Sequence, residues 1–197
     1  MSEFKDFPKM ARLSRECVIT EKIDGTNGQI CIAEDGTIKV GSRTRWITPE
    51  DDNYGFARWV KDNHDQLLLL GHGRHFGEWW GQGIQRKYGL NEKRFSLFNT
   101  LRWVEYGQEP AITPTSDPRI VKQQEVLPPC CSLVPILYRG IFTTSATDSA
   151  LRELQVYGSK AAPGFMKPEG IVIYHVAGNV GFKKTLENDD EYKGKSK

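Results

Sequence analysis

Apolar and polar positions along this chain fall into short runs whose period changes several times. "CVIT" (Cys17–Thr20) is a compact, partly β-branched run that reads as a strand. "GQICIAEDGTIKVGS" places two β-rich runs on either side of Asp35-Gly36, a strong hairpin signal. This predicts that Lys22 sits just ahead of the hairpin and Arg43 at the far end of its second strand. From Tyr54 to Leu70 the period lengthens: Phe56, Trp59, Val60 and Leu67 fall at helical spacing, and Gly71 can end the helix. "RHFGEWWG" and "RFSLFN" read as two more strands across a polar, glycine-bearing loop. Residues 104–129 carry Pro110, Pro114, Pro118, Pro128 and Pro129 and are expected to form a surface excursion. "LVPILYRG" reads as one strand that tolerates a proline at a sheet edge. Thr147 or Asp148 is set to cap a helix reaching about Tyr157, with Leu151 and Leu154 turned inward. "EGIVIYHV" and "NVGFKKTL" predict a last strand pair turning at Ala177-Gly178-Asn179. Many strands with two helices predict an α+β domain built on antiparallel sheet.

Length and composition narrow the class. A chain of 197 residues fits a single domain, 1–197, with residues 188–197 a charged, frayed tail. Its 38% hydrophobic content is that of a globular protein able to build a core. The net charge of +2, from 27 basic and 25 acidic residues, neither announces nor excludes a nucleic-acid surface. The four cysteines form no C-x-x-C and are not spaced with the histidines as zinc ligands, so idle thiols are expected. The first ten residues lack the apolar core of a signal peptide, and Leu67–Leu70 is too short to span a bilayer. A cytoplasmic protein with no membrane partner is the expectation.

The candidate chemistry lies in "EKIDGTN", residues 21–27. A lysine amine, with a reference pKa of about 10.4, attacks an electrophile only once it is uncharged. "KIDG" offers Lys22 as the amine, Asp24 on the same side of a strand to manage the proton, and Gly25 to let a ligand approach the backbone. A salt-bridged strand end followed by a turn would look the same in these four residues.

Five further stretches follow in order: "GSRTRW", "FGEWWG", "RFSLFN", "PEGIVIY" and "VGFKKT". With "EKIDGTN" they resemble the motif series of the covalent nucleotidyltransferases, the superfamily of polynucleotide ligases and mRNA capping enzymes. The resemblance is closest to the ATP-dependent RNA ligases of the nick-sealing type, and it runs from Thr20 to Thr185. It implies the nucleotidyltransferase (ligase adenylation-domain) fold, antiparallel sheets flanked by helices with the active site in the cleft between them.

The resemblance also implies roles. Lys22 would attack the α-phosphate of ATP and become a lysyl-AMP, with Asp24 in the catalytic set. Glu21 and Ile23 would help frame the nucleotide. Arg43 would reach its ribose or a phosphate, with Arg45 as the substitute. Glu78 would accept from the ribose hydroxyls. Phe98 would stack on adenine, with Phe95 as runner-up, although Asn99 stands where many members carry aspartate. Glu169 would bind the metal, Mg2+ or in its place Mn2+. Lys183 and Lys184 would hold the α-phosphate, but neighbours on one strand point to opposite faces, so one of them, Lys183 by preference, is expected to touch it. Asn27 occupies a position that is arginine in many DNA ligases and capping enzymes, which points to RNA with 5′-phosphate and 3′-OH ends.

Two other readings remain open: a DNA ligase or GTP-using capping guanylyltransferase of the same superfamily, and a non-catalytic nucleic-acid-binding module. Most relatives carry a further C-terminal domain. Its absence from this chain leads to the expectation that an accessory protein stands in for it. Arg86, Lys87, Lys93 and Arg94 are candidates for tracking a phosphate backbone.

Overall fold

A computed structural model describes residues 4, 6, 7, 9–103, 127–187 and 189. Two sheets face each other across a cleft. The smaller has the order β10-β9-β1-β8, from β10 (Val180–Thr185), β9 (Gly170–His175), β1 (Glu16–Lys22) and β8 (Ile136–Ile141). The larger runs β4-β3-β2-β5-β6-β7, from β4 (Trp46–Ile47), β3 (Ile38–Gly41), β2 (Thr26–Ile32), β5 (Gly73–Gly81), β6 (Lys93–Leu97) and β7 (Cys131–Leu133). All pairs are antiparallel except β6–β7, which is parallel.

Each sheet buries one face under helix and turns the other to the cleft. Ile30, Trp79 and Phe95 point outward from the larger sheet and pack with Phe56, Ala57 and Val60 of α1 (Phe56–Asp62) and Leu67 of α2 (His64–Leu67). Cys17, Ile19, Ile171 and Ile173 of the smaller sheet pack with Ala150 and Leu154 of α3 (Thr144–Tyr157). A third cluster of Ile23, Trp80, Tyr88, Val134 and Ala162 plugs one end between the sheets. Among the described residues the chain crosses between sheets at residues 23–25 and 134–135. These crossings lie side by side, with the Glu21 N–H donating to the Pro135 carbonyl at 2.9 Å.

Several expected boundaries shift. The helix expected over Tyr54–Leu70 breaks at Asn63, whose φ of −111° leaves the helical range, and resumes as α2 and a 3-10 turn at Leu68–Leu70. "LVPILYRG" is two strands in different sheets, because Pro135 lies where the chain changes sheet. The last helix begins a turn before Thr147: Thr143 is its cap, its side chain accepting from the Ala146 N–H at 3.1 Å. The two-residue β4 went unforeseen. Pro110, Pro114 and Pro118 of the expected excursion, and nearly all of the tail, lie outside the described residues. The four cysteines are free thiols. Among the described residues no helix is long and apolar enough to cross a membrane.

Candidate active site

The cleft between the sheets encloses about 590 Å³. Side chains alternate along a strand, so Val18, Thr20 and Lys22 of β1 share the cleft face while Cys17 and Ile19 turn to α3. The Lys22 amine meets the nearly buried Glu169 carboxylate at 2.5 Å, joining the end of β1 to the start of β9. Lys183 pairs across β10–β9 with Val172, which pairs with Thr20, so Lys183 lies on the cleft face. Lys184, opposite Ile171, takes the other face and sits 3.6 Å from Asp148 of α3.

From the larger sheet come Asn27 and Glu78, which are directly opposed across β2–β5. The Glu78 carboxylate, 8% exposed, accepts from the Gly25 N–H at 3.1 Å and from Asn27 Nδ2 at 3.0 Å. Burial pushes its pKa up to about 7 despite the opposing pull of Lys22 and the Gly25 amide. The unfolded chain releases this proton near 4.5, so between there and 7 the folded state holds the extra proton. Stability therefore falls as pH rises through that window and levels off above it. In EDTA, wild-type melting temperature is expected to drop between pH 5 and 7.5, and Glu78→Gln is expected to flatten that slope. Parallel curves would mean that Glu78 titrates normally.

Phe98, just past β6, is 43% exposed and lines the cleft, whereas Phe95, the runner-up, is 0% exposed in the outer core against Phe56. Ile23 lines the cleft at its plugged end.

Other predicted residues take different places. Glu21, at 1% exposure, turns its carboxylate away from the cleft to accept from Ser159 Oγ and from the amides of Lys160 and Ala161, at 2.6, 2.8 and 2.9 Å. Glu21 still counts among the residues that line the cleft beside Lys22. Asp24 does not share a strand with Lys22, because β1 ends at Lys22; its carboxylate takes the Arg86 guanidinium at 3.1 Å and its N–H donates to the Tyr88 hydroxyl at 2.8 Å. Gly25 is needed for backbone packing: a Cβ there would lie 2.4 Å from the Trp79 carbonyl. Arg43 lies beyond β3 in an exposed turn outside the cleft wall, and Arg45 is ion-paired with Asp51.

Arg86, considered for a phosphate footprint, is instead a clamp that also donates to the Lys167 carbonyl at 3.1 Å. Of the other candidates, Lys93 donates to the Tyr54 carbonyl and Arg94 pairs with Glu92. Sequence reasoning missed Phe76, which lies on the cleft face two residues from Glu78; the two-residue strand period was the available signal.

Among the described residues no group of three or more His, Cys, Asp or Glu side chains could form a protein-only metal cage. Glu169, in the cleft beside Lys22, fits the sparse carboxylate supply that suffices for magnesium or manganese when phosphate oxygens and water complete the shell.

Paired sheets with an inward lysine, two buried glutamates and a second lysine on the same inner face define the nucleotidyltransferase fold of the ligases. An RNA ligase family model matches residues 15–186, and the chain belongs to that family. Solved structures of Naegleria gruberi RNA ligase share the fold. A variant with ATP and manganese aligns at TM-score 0.58 and 21% identity, over 92% of this chain and 53% of that one. A variant with AMP and manganese aligns at 0.55 and 23%, over 87% and 49%, and an apo variant at 0.55 and 23%, over 87% and 50%. The chain thus spans about half the length of these structures. None of the curated proteins matches it.

Proposed function

We propose that this chain joins RNA 3′-OH and 5′-phosphate ends with ATP, through a lysyl-AMP on Lys22. The reading is carried by Lys22 standing at the cleft end of β1, 2.5 Å from Glu169 and on the same face as Lys183. In the first step the Lys22 nitrogen attacks the α-phosphorus, a P–N bond forms, the bond to the β-phosphate breaks and pyrophosphate leaves. An RNA 5′-phosphate oxygen then displaces the lysine, giving a 5′–5′ pyrophosphate linkage to AMP. The 3′-hydroxyl attacks the RNA phosphorus of that linkage, the strand closes and AMP departs.

Each step is displacement at phosphorus, where positioning and charge stabilisation supply most of the rate. Phe98 stacks on adenine, Ile23 packs against the nucleotide and Glu78 with Asn27 holds the sugar side. Arg43 reaches in from its turn when the nucleotide is present. Asp24 positions the Lys22 loop through Arg86. Glu169 would hold magnesium or manganese, which supplies charge neutralisation at the phosphates. ATP and the metal enter this reading because the Naegleria structures contain ATP or AMP with manganese. The unit would act as one nucleotidyltransferase domain in the cytoplasm, with an accessory protein helping to hold RNA.

Incubation with magnesium and α-labelled ATP or GTP tests the reading. ATP label on the protein, lost in EDTA, is expected. GTP label would indicate capping chemistry, and no label a binding module. Nicked RNA and nicked DNA duplexes then separate the substrates, and sealing of DNA alone would overturn the RNA assignment. Lys183→Ala is expected to slow labelling by about 10²-fold, as for loss of a group that stabilises developing charge. Lys184→Ala is expected to cost less than about tenfold. The reverse order would place the phosphate contact on the α3 side.

A further inference from the structure

The cleft face of the larger sheet continues past the nucleotide pocket as an ordered row. The Phe98 N–H donates to the Phe76 carbonyl at 2.9 Å, Phe76 lies opposite Gln29, Gln29 opposite Gly41, and Gly41 opposite Trp46. Cross-strand partners share a face, so Phe98, Phe76 and Trp46 project from one surface. Three strand steps of about 4.8 Å separate Phe76 from Trp46, or roughly 14 Å.

All three rings are open, Phe98 at 43%, Phe76 at 52% and Trp46 at 47% exposure. Among the described residues none of them stacks on another aromatic ring. Gly41 makes the row flat: a Cβ there would meet Gln29 Nε2 at 2.7 Å and Trp46 Cε3 at 3.3 Å. Beside the row runs a second one, Arg74–Cys31–Lys39, with two exposed cations on the same face. Arg74 is preorganised, donating to Gln29 Oε1 at 3.1 Å with its guanidinium 5.8 Å from the Trp46 ring centroid.

Open aromatic faces one row from two exposed cations, one of them held in place, match bases and phosphates of a strand whose bases are unstacked; a paired duplex offers its bases only to each other. We propose that Phe76 and Trp46, with Arg74 and Lys39, form a stacking platform for unpaired RNA nucleotides next to the end being joined. The platform would make this chain prefer RNA ends that carry single-stranded nucleotides over fully paired breaks. This deepens the ligase reading and rests on it for the identity of the strand.

The test uses the whole chain, without ATP, and two fluorescein-labelled probes. One is an oligoadenylate of about twelve nucleotides, within the site size of such surfaces; the other is the same strand in a blunt RNA duplex. Anisotropy should show tighter binding of the single strand. Trp46→Leu and Phe76→Leu are each expected to weaken that complex roughly tenfold and the duplex complex less than about twofold. Trp46→Phe and Phe76→Tyr, which keep a ring, should recover most of the loss and show that the leucine variants did not merely misfold. Equal binding of the two probes by wild type, parallel losses on both, or no loss would overturn the platform. The ligase reading fails separately, if wild type takes no label from ATP.

Discussion

Lys22→Ala is expected to bring covalent labelling by α-labelled ATP to background, a loss larger than about 10³-fold. No neighbour can take over. Lys183, the other cleft-face lysine among the described residues of the smaller sheet, sits on β10, two strands from β1 and therefore about 9.6 Å across the sheet. Lys22→Arg should fail equally, because a guanidinium stays protonated. The same alanine variant should still seal, at reduced rate, an RNA strand supplied already adenylated, since the attack by the 3′-hydroxyl needs no lysine nucleophile. That pattern separates loss of the nucleophile from loss of the fold. Label persisting on Lys22→Ala would assign the chemistry to another side chain.

Glu21→Ala is expected to lower stability by about 3 kcal/mol, and melting temperature by roughly 6–12 °C for a chain of this size. The carboxylate, 1% exposed, accepts from one hydroxyl and two amides of residues 159–161. Its removal leaves one buried and two part-buried donors without their acceptor, and Ser159 Oγ is itself the acceptor for the Ala162 N–H at 3.0 Å. Ala162 belongs to the cluster that plugs the cleft, so the loss should spread to the sheet interface. Glu21→Gln keeps one acceptor oxygen and should lose about half as much. Urea denaturation measures both; wild-type stability in the alanine variant would mean that water replaces the carboxylate without cost.

The motif order placed the main elements because strand periodicity and turn chemistry are local. Asp35-Gly36 does turn β2 into β3, with Gly36 at a φ of 83°. What stayed hidden depends on contacts distant in sequence. Glu21 gave no sign that its partners lie at residues 159–161, and the pairing of Asp24 with Arg86 spans 62 positions. Phe76 read as an ordinary strand residue and Trp46 lies in the strand that went unforeseen; only the register across β5, β2, β3 and β4 aligns them with Phe98. The sheet change at Pro135 had a readable cause, a proline in a β-rich run, but its destination depended on which strands it met.

Among the described residues, the two places where the backbone passes between sheets, and the apolar plug beside them, bind the molecule along one edge as pages are bound in a book. Lys22 is attached at that spine, so any opening at the free margin, where Arg74 and Trp46 lie, would displace the reactive nitrogen least.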